Sequence, residues 1–131
     1  MSEADAEIAV DASAVLALLQ GERFGAFDAE RIVGAWISAV NFSEVLAKLR
    51  DGGLSEDEAD QAVDGLDFRI VPFDASLARA TAWLLPSTRR AGLSLGDRAC
   101  LATAAALGAS AATADRAWAR LDVGTKVELI R

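Results

Sequence analysis

The sequence predicts an α/β domain: one mostly parallel sheet with helices on both faces. Three observations predict it. Short apolar runs alternate with helix-like segments along the chain, and such alternation implies parallel pairing through helical crossovers. The 131 residues suffice for one core and 53% are hydrophobic, so a single unit over 1–131 is expected. No internal repeat, linker or low-complexity segment interrupts it. Residues 1–6, small and acidic, are expected to form a flexible tail.

The elements follow in order. Glu7-Ile-Ala-Val10 is a short apolar run ending at Asp11, a candidate buried strand. Ser13 is placed to cap a helix over Ala14 to Leu19 that stops at Gly21. A weak helical pattern around Phe27 and Ile32 spans Phe24 to Ile32. Ala35 to Ser38 reads as a second strand. Asn41-Phe-Ser-Glu44 opens a helix through Leu49, closed by Gly52-Gly53. Ser55 caps a third helix whose first turn holds Glu56, Asp57 and Glu58, charges that suit the positive end of the helix dipole. Arg69 to Pro72 is a third strand. Asp74 caps a helix through Leu84, interrupted at Pro86. Ser94 and Gly108 bracket a helix whose body is Ala, Leu and Cys nearly all round, the pattern of a buried helix. Ala111 to Thr113 is a weak strand ending near Asp115, Arg116 to Leu121 a short helix, and Lys126 to Ile130 a last, edge strand. Trp36, Trp83 and Trp118 lie in or beside apolar segments and read as core or partner contacts.

Composition narrows the chemistry. The chain has no histidine and one cysteine, Cys100, which reads as a buried structural thiol. The usual general base and the usual zinc ligand are therefore missing. No apolar run approaches a membrane span, and the start lacks a signal-peptide pattern, so a cytoplasmic protein without a membrane partner is expected. Net charge is −7, which argues against broad nonspecific nucleic-acid binding. The charge is unevenly spread. Residues 1–88 carry a net −10 and residues 89–131 a net +3, so the last third is basic inside an acidic protein. Scattered surface charge or a phosphate-facing edge both account for this.

Four carboxylates hold corresponding positions: Asp11 after the first strand, Glu44 in the helix after the second, Asp97 in the first turn of the Ser94 helix, and Asp115 after the Ala111 strand. In an open parallel sheet these places belong to one edge, the carboxyl ends of the strands, where ligands bind. Each also has a local explanation. Ser94-x-x-Asp97 and Asn41-x-x-Glu44 have capping-box spacing, Glu44 and Lys48 form an i,i+4 pair, and Asp11 and Asp115 can cap. Asp11 and Asp97, however, adjoin elements expected to be buried, where clustered carboxylates are costly without a counter-charge. A divalent cation meets that need. Oxygen ligands without His or Cys select Mg²⁺ or Mn²⁺, and such an ion suits phosphodiester hydrolysis by an activated water. Arg98 and Arg116, each beside one of these aspartates, are candidate phosphate contacts. Ser13 and Thr113 are candidates to orient carboxylates or water.

Taken together, Val10-Asp11-Ala-Ser13, Asn41-Phe-Ser-Glu44, Leu93-Ser-Leu-Gly-Asp97-Arg98 and Thr113-Ala-Asp115-Arg116 resemble the PIN-domain family, and within it the VapC-type toxins of bacterial toxin–antitoxin pairs. The resemblance runs over roughly residues 7–131. It implies a three-layer α/β/α sandwich around a five-stranded parallel sheet, and an Mg²⁺- or Mn²⁺-dependent endoribonuclease. It carries the acidic ligands onto Asp11, Glu44, Asp97 and Asp115, and the hydroxyls near the site onto Ser13 and Thr113. It further implies a homodimer, a cognate antitoxin whose C-terminal segment reaches the acidic site, and structured RNA, often tRNA, as substrate. Two rivals stay open: a non-catalytic PIN-like module binding protein or RNA, and a phosphatase with Asp11 as nucleophile. The latter lacks the second aspartate two residues on that the haloacid-dehalogenase type carries.

Overall fold

The computed structural model describes residues 7–131; the expected tail over 1–6 lies outside the described residues. The described strands are β1 (Ile8–Val10), β2 (Trp36–Ser38), β3 (Arg69–Val71), β4 (Ser110–Thr113) and β5 (Val127–Leu129). The helices are α1 (Ala12–Leu19), α2 (Ala39–Asp51), α3 (Glu56–Asp64), α4 (Ala75–Trp83), α5 (Leu85–Thr88) and α6 (Leu95–Leu107). Short 3₁₀ turns cover Ala29–Ile32, Arg89–Ala91 and Arg116–Arg120.

All strand pairs are parallel, in the order β3-β2-β1-β4-β5. The chain moves from β1 to β2 on one side, and β4 then returns to β1's other flank. The carboxyl ends of β1 and β4 therefore flank a point where strand order reverses, the usual place for a ligand crevice. The α/β expectation is borne out, with β5 on an edge as read.

The pleat explains the layers. In β1, Ile8 and Val10 face one way and Ala9 the other. Ile8 and Val10 join Val15 of α1, Val45 of α2, Ile32, Ile37 and Ile130 in one buried cluster. Ala9 and Ala111 form the floor of the second, against Cys100, Leu101 and Ala104 of α6 and the fully buried Trp118. Two alanines in the floor let the Ala-rich face of α6 lie close to the sheet. β4 is Ser-Ala-Ala-Thr, poor in strand formers, yet every residue is buried between β1 and β5; packing decides here, not propensity. α6 starts on a capping box at Ser94 and stops at Gly108, whose φ of 65° is the left-handed cap that glycine accepts readily. Cys100 is buried as expected. No helix among the described residues is long and apolar enough to cross a membrane.

Some boundaries differ from expectation. Asp11, not Ser13, caps α1. α2 starts at Ala39 with Ser38 as its cap, so Asn41 lies inside the helix. Of the Phe24–Ile32 pattern only the single turn Ala29–Ile32 forms; Phe24 and Phe27 reach the core from irregular backbone. α4 already ends at Trp83, and Pro86 sits in the first turn of α5, where its missing N–H costs nothing. Trp118 is core, but Trp83 is 82% exposed. Trp36 is half-buried, with the Arg69 guanidinium over its ring at 4.0 Å.

Candidate active site

Asp11 is the best-held of the four acids. Its backbone N–H continues the β1–β4 ladder by donating to the Ala112 carbonyl, at 3.1 Å. Its side chain is 4% exposed and fully engaged. Oδ1 accepts from Ala14 N at 2.9 Å and from Ser13 Oγ at 2.8 Å; Oδ2 accepts from Thr113 Oγ1 at 2.5 Å. Both hydroxyl protons are thereby committed to the carboxylate. The hydroxyl oxygens accept in turn: Ser13 Oγ from Ala114 N at 2.9 Å, and Thr113 Oγ1 from Asp115 N at 3.0 Å. A chain of hydrogen bonds thus fixes Asp11 to the backbone that carries Asp115. Burial nonetheless pushes the Asp11 carboxyl up to about 6, against these three hydrogen bonds, and the nearby Asp97 charge adds to the rise.

Glu44 projects from the second turn of α2, half-buried. Asn41 Nδ2 donates to its Oε1 at 2.9 Å and also to the Gly96 carbonyl at 2.9 Å. Asn41 is itself 1% exposed. A Cβ built at Gly96 would overlap the Glu44 carboxylate, so the absence of a side chain there makes Glu44's seat. Asp97 completes the α6 capping box: its N–H donates to Ser94 Oγ at 3.1 Å and its Oδ2 accepts from Ser94 N at 3.0 Å. Asp115 caps the turn Arg116–Arg120, with Oδ1 accepting from Ala117 N at 3.0 Å.

These acids come from four separate stretches of chain, yet Asp11, Glu44, Asp97 and Asp115 all line one cleft of about 240 Å³, with Ser13 and Lys48. Thr113 stands behind it, fully buried, and acts through Asp11. Arg98 is turned aside, its Nη1 donating to the Thr81 carbonyl of α4 at 3.1 Å. Arg116 lines a neighbouring cleft. Sequence reasoning missed Asn41 and Gly96 as parts of this site, and treated Lys48 only as Glu44's surface partner. The signal for Asn41 was present: an amide three residues before an acid on one helix face.

The capping and ligand readings do not compete. Glu44, Asp97 and Asp115 each give one oxygen to a local partner and still line the cleft. Cys100 beneath the cleft reports the accumulated charge: burial, then the Asp11, Asp97 and Glu44 carboxylates, push its thiol well above the usual range. As the side chains stand, no three acids among the described residues form a ready-made shell for an ion. The donor set, all oxygen with a buried carboxylate at its base, is of the chemical type that hard divalent cations take.

The comparisons agree with this fold. No curated protein matches the chain. Solved structures do. VapBC2 from Rickettsia felis, bound to a DNA fragment from its promoter, is matched with a TM-score of 0.74 at 13% identity, over 95% of this chain and 98% of that one. Mycobacterium tuberculosis VapC20, described as a sarcin-ricin loop cleaving toxin, gives 0.63 at 21% identity over 88% and 97%. VapBC-5 from the same organism, a member of the VapBC family of toxin–antitoxin systems, gives 0.57 at 26% over 96% and 98%. The PIN domain family matches residues 8–124, a span that takes in β1, β4, α6 and all four acids of the cleft, and the chain belongs to that family.

Proposed function

We propose that the protein is a metal-dependent endoribonuclease and the toxin half of a toxin–antitoxin pair. One observation carries this reading: Asp11, Glu44, Asp97 and Asp115 line a single cleft at the switch point of a parallel sheet, in a chain without histidine. Toxin rather than housekeeping nuclease rests on the likeness to VapBC and VapC structures. By the same likeness, the partner is a cognate antitoxin and the substrate is RNA; a second copy of the chain is the further partner that the sequence resemblance implies.

Asp11, Glu44, Asp97 and Asp115 would hold the ion. A bound Mg²⁺ or Mn²⁺ supplies the positive charge that polarises a phosphodiester and lowers the pKa of a water. Ser13 and Thr113 lock the Asp11 carboxylate against rotation by donating to different oxygens. Asn41 holds Glu44 from a buried position on the same helix. Lys48, on the cleft wall, offers a cation to a phosphate oxygen. Without an imidazole to remove and return protons, the 2′-OH route has poor equipment, so water attack leaving a 5′-phosphate is expected.

Purified protein should cleave RNA with Mg²⁺ or Mn²⁺, and Asp97→Asn should abolish cleavage with the fold intact. Unchanged cleavage by that variant, with contaminating nuclease excluded, overturns the site. A non-catalytic PIN-like binding module is the alternative, favoured by one fact: Asp11 and Asp115 already cap helical turns and Asp97 closes the α6 capping box. Titration calorimetry with Mn²⁺ separates the two. Heat that disappears in Asp97→Asn supports the nuclease, and no heat supports the module.

A further inference from the structure

Beside the acidic cleft lies one of opposite sign. It has a volume of about 700 Å³ and is lined by Arg90, Arg116 and Arg120, with Ala117, Leu121 and Asp122 among its other walls. All three arginines are exposed. None makes an ion pair or hydrogen bond with another described residue, whereas Arg31, Arg69 and Arg131 pair with Glu128, Glu7 and Glu22 at 2.8, 2.9 and 2.6 Å. In a chain with 20 Asp and Glu against 13 Lys and Arg, partners for three guanidiniums are plentiful, yet these three share a concave surface with one aspartate. The two clefts abut at a single peptide bond. Asp115 lines the acidic cleft and caps the turn whose first and last residues, Arg116 and Arg120, line the basic one. Arg90 closes it from the turn Arg89–Ala91.

We propose that this arginine cleft is a binding site for the phosphodiester backbone of single-stranded RNA, taking the phosphates that flank the one presented to the acids. The proposal rests on the ribonuclease reading for the choice of RNA. The electrostatics require something of this kind. Four carboxylates repel the strand they are to act on, and even with an ion bound the site offers little attraction beyond the scissile phosphate. Planar, always-charged guanidiniums with several donors suit phosphate oxygens. Among the described residues no aromatic side chain lines the cleft, so base stacking adds nothing there, and the site holds the backbone with little regard to sequence.

The test keeps binding apart from cleavage. A fluorescein-labelled 20-nucleotide oligouridylate is titrated in EDTA, so that nothing is cut, across a series of KCl concentrations. Wild type is compared with the triple variant Arg90→Gln/Arg116→Gln/Arg120→Gln, and with Arg23→Gln/Arg50→Gln/Arg79→Gln, which removes the same charge from exposed positions elsewhere. The cleft variant should bind at least about tenfold more weakly, and its log K against log [salt] slope should be shallower by about 2, for three lost single-strand contacts. The control triple should bind nearly as wild type. Wild-type affinity and slope in the cleft variant, or an equal loss in the control, overturns the proposal. With Mn²⁺, the cleft variant should show a raised KM for RNA and little change in kcat; a fall confined to kcat also overturns it. If wild type binds but never cuts, the nuclease reading fails and the cleft stands.

Discussion

The Glu44 carboxylate occupies the space where a side chain on Gly96 would begin. The two residues are far apart in sequence and are joined through Asn41, whose amide donates to both. The α2–α6 contact is thus also the mount for one of the four acids.

Gly96→Ala tests the mount directly. The added methyl meets the far end of a flexible side chain, so Glu44 can swing away without unfolding α6. Alanine is also the better helix former, by up to about 1 kcal/mol. Stability should therefore hold or rise slightly, while Mn²⁺-dependent cleavage should fall about 100-fold, the scale of loss when a catalytic group is displaced by about 1 Å. Thermal denaturation and cleavage measured on one preparation check this. Asn41→Ala should lose both properties, since it leaves the Gly96 carbonyl without its donor; a stability cost of about 1–2 kcal/mol is expected.

Asp11 predicts an unusual dependence of stability on pH. Its folded carboxyl is raised from 3.8 to about 6 by burial. Below pH 3.8 both folded and unfolded states carry the proton, and the group has no effect. As pH rises through 3.8 the unfolded chain ionises while the folded one resists, so stability falls until about pH 6 and then levels. The penalty approaches about 3 kcal/mol for a shift of this size. Asp11→Asn removes it. In EDTA the variant should be more stable than wild type at pH 7, and the difference should vanish near pH 4. Urea unfolding of both proteins at the two pH values measures this; equal stability at pH 7 would contradict it.

Thr113→Val should have a cost beyond its lost hydroxyl. That oxygen donates to Asp11 and accepts from Asp115 N, so valine leaves a buried carboxylate oxygen and a backbone N–H unpaired. A destabilisation of about 2–3 kcal/mol is expected at pH 7. It should be smaller near pH 4, where Asp11 is protonated and loses less when the donor goes. Chemical denaturation at both pH values checks the size and its pH dependence.

The sheet and the four acids were legible because each rests on a local sign. Apolar runs alternate with caps, and carboxylates follow strand ends. The Asn41–Gly96 mount was not legible, because it joins residues 55 apart and because Asn41-x-x-Glu44 mimics a capping box when α2 is started three residues late. Trp83 shows the opposite failure. Its neighbours on α4 suggest burial, but it falls on the outer face of that helix and stays in solvent. The arginine cleft was half legible. The basic last third marked the region, and Arg116 was singled out, but the part played by Arg90 and Arg120 depends on two short turns meeting in space.

Proton and metal should compete for Asp11, because an ion binds only the ionised carboxylate. With the folded carboxyl near 6, about nine-tenths of the protein is ready at pH 7 and about one-tenth at pH 5, so apparent Mn²⁺ affinity should fall about tenfold between them. Binding to the folded state alone stabilises by about 2.7 kcal/mol at a concentration of 100 times the Kd. That corresponds to a rise of several degrees in Tm for a domain of this size. Wild type should therefore gain Tm with millimolar Mn²⁺ at pH 7 and gain clearly less at pH 5, and Asp11→Asn should gain nothing at either. A flat response of wild type at pH 7 would mean that the four acids do not hold an ion, and the capping roles of Asp11, Asp97 and Asp115 would then account for their presence.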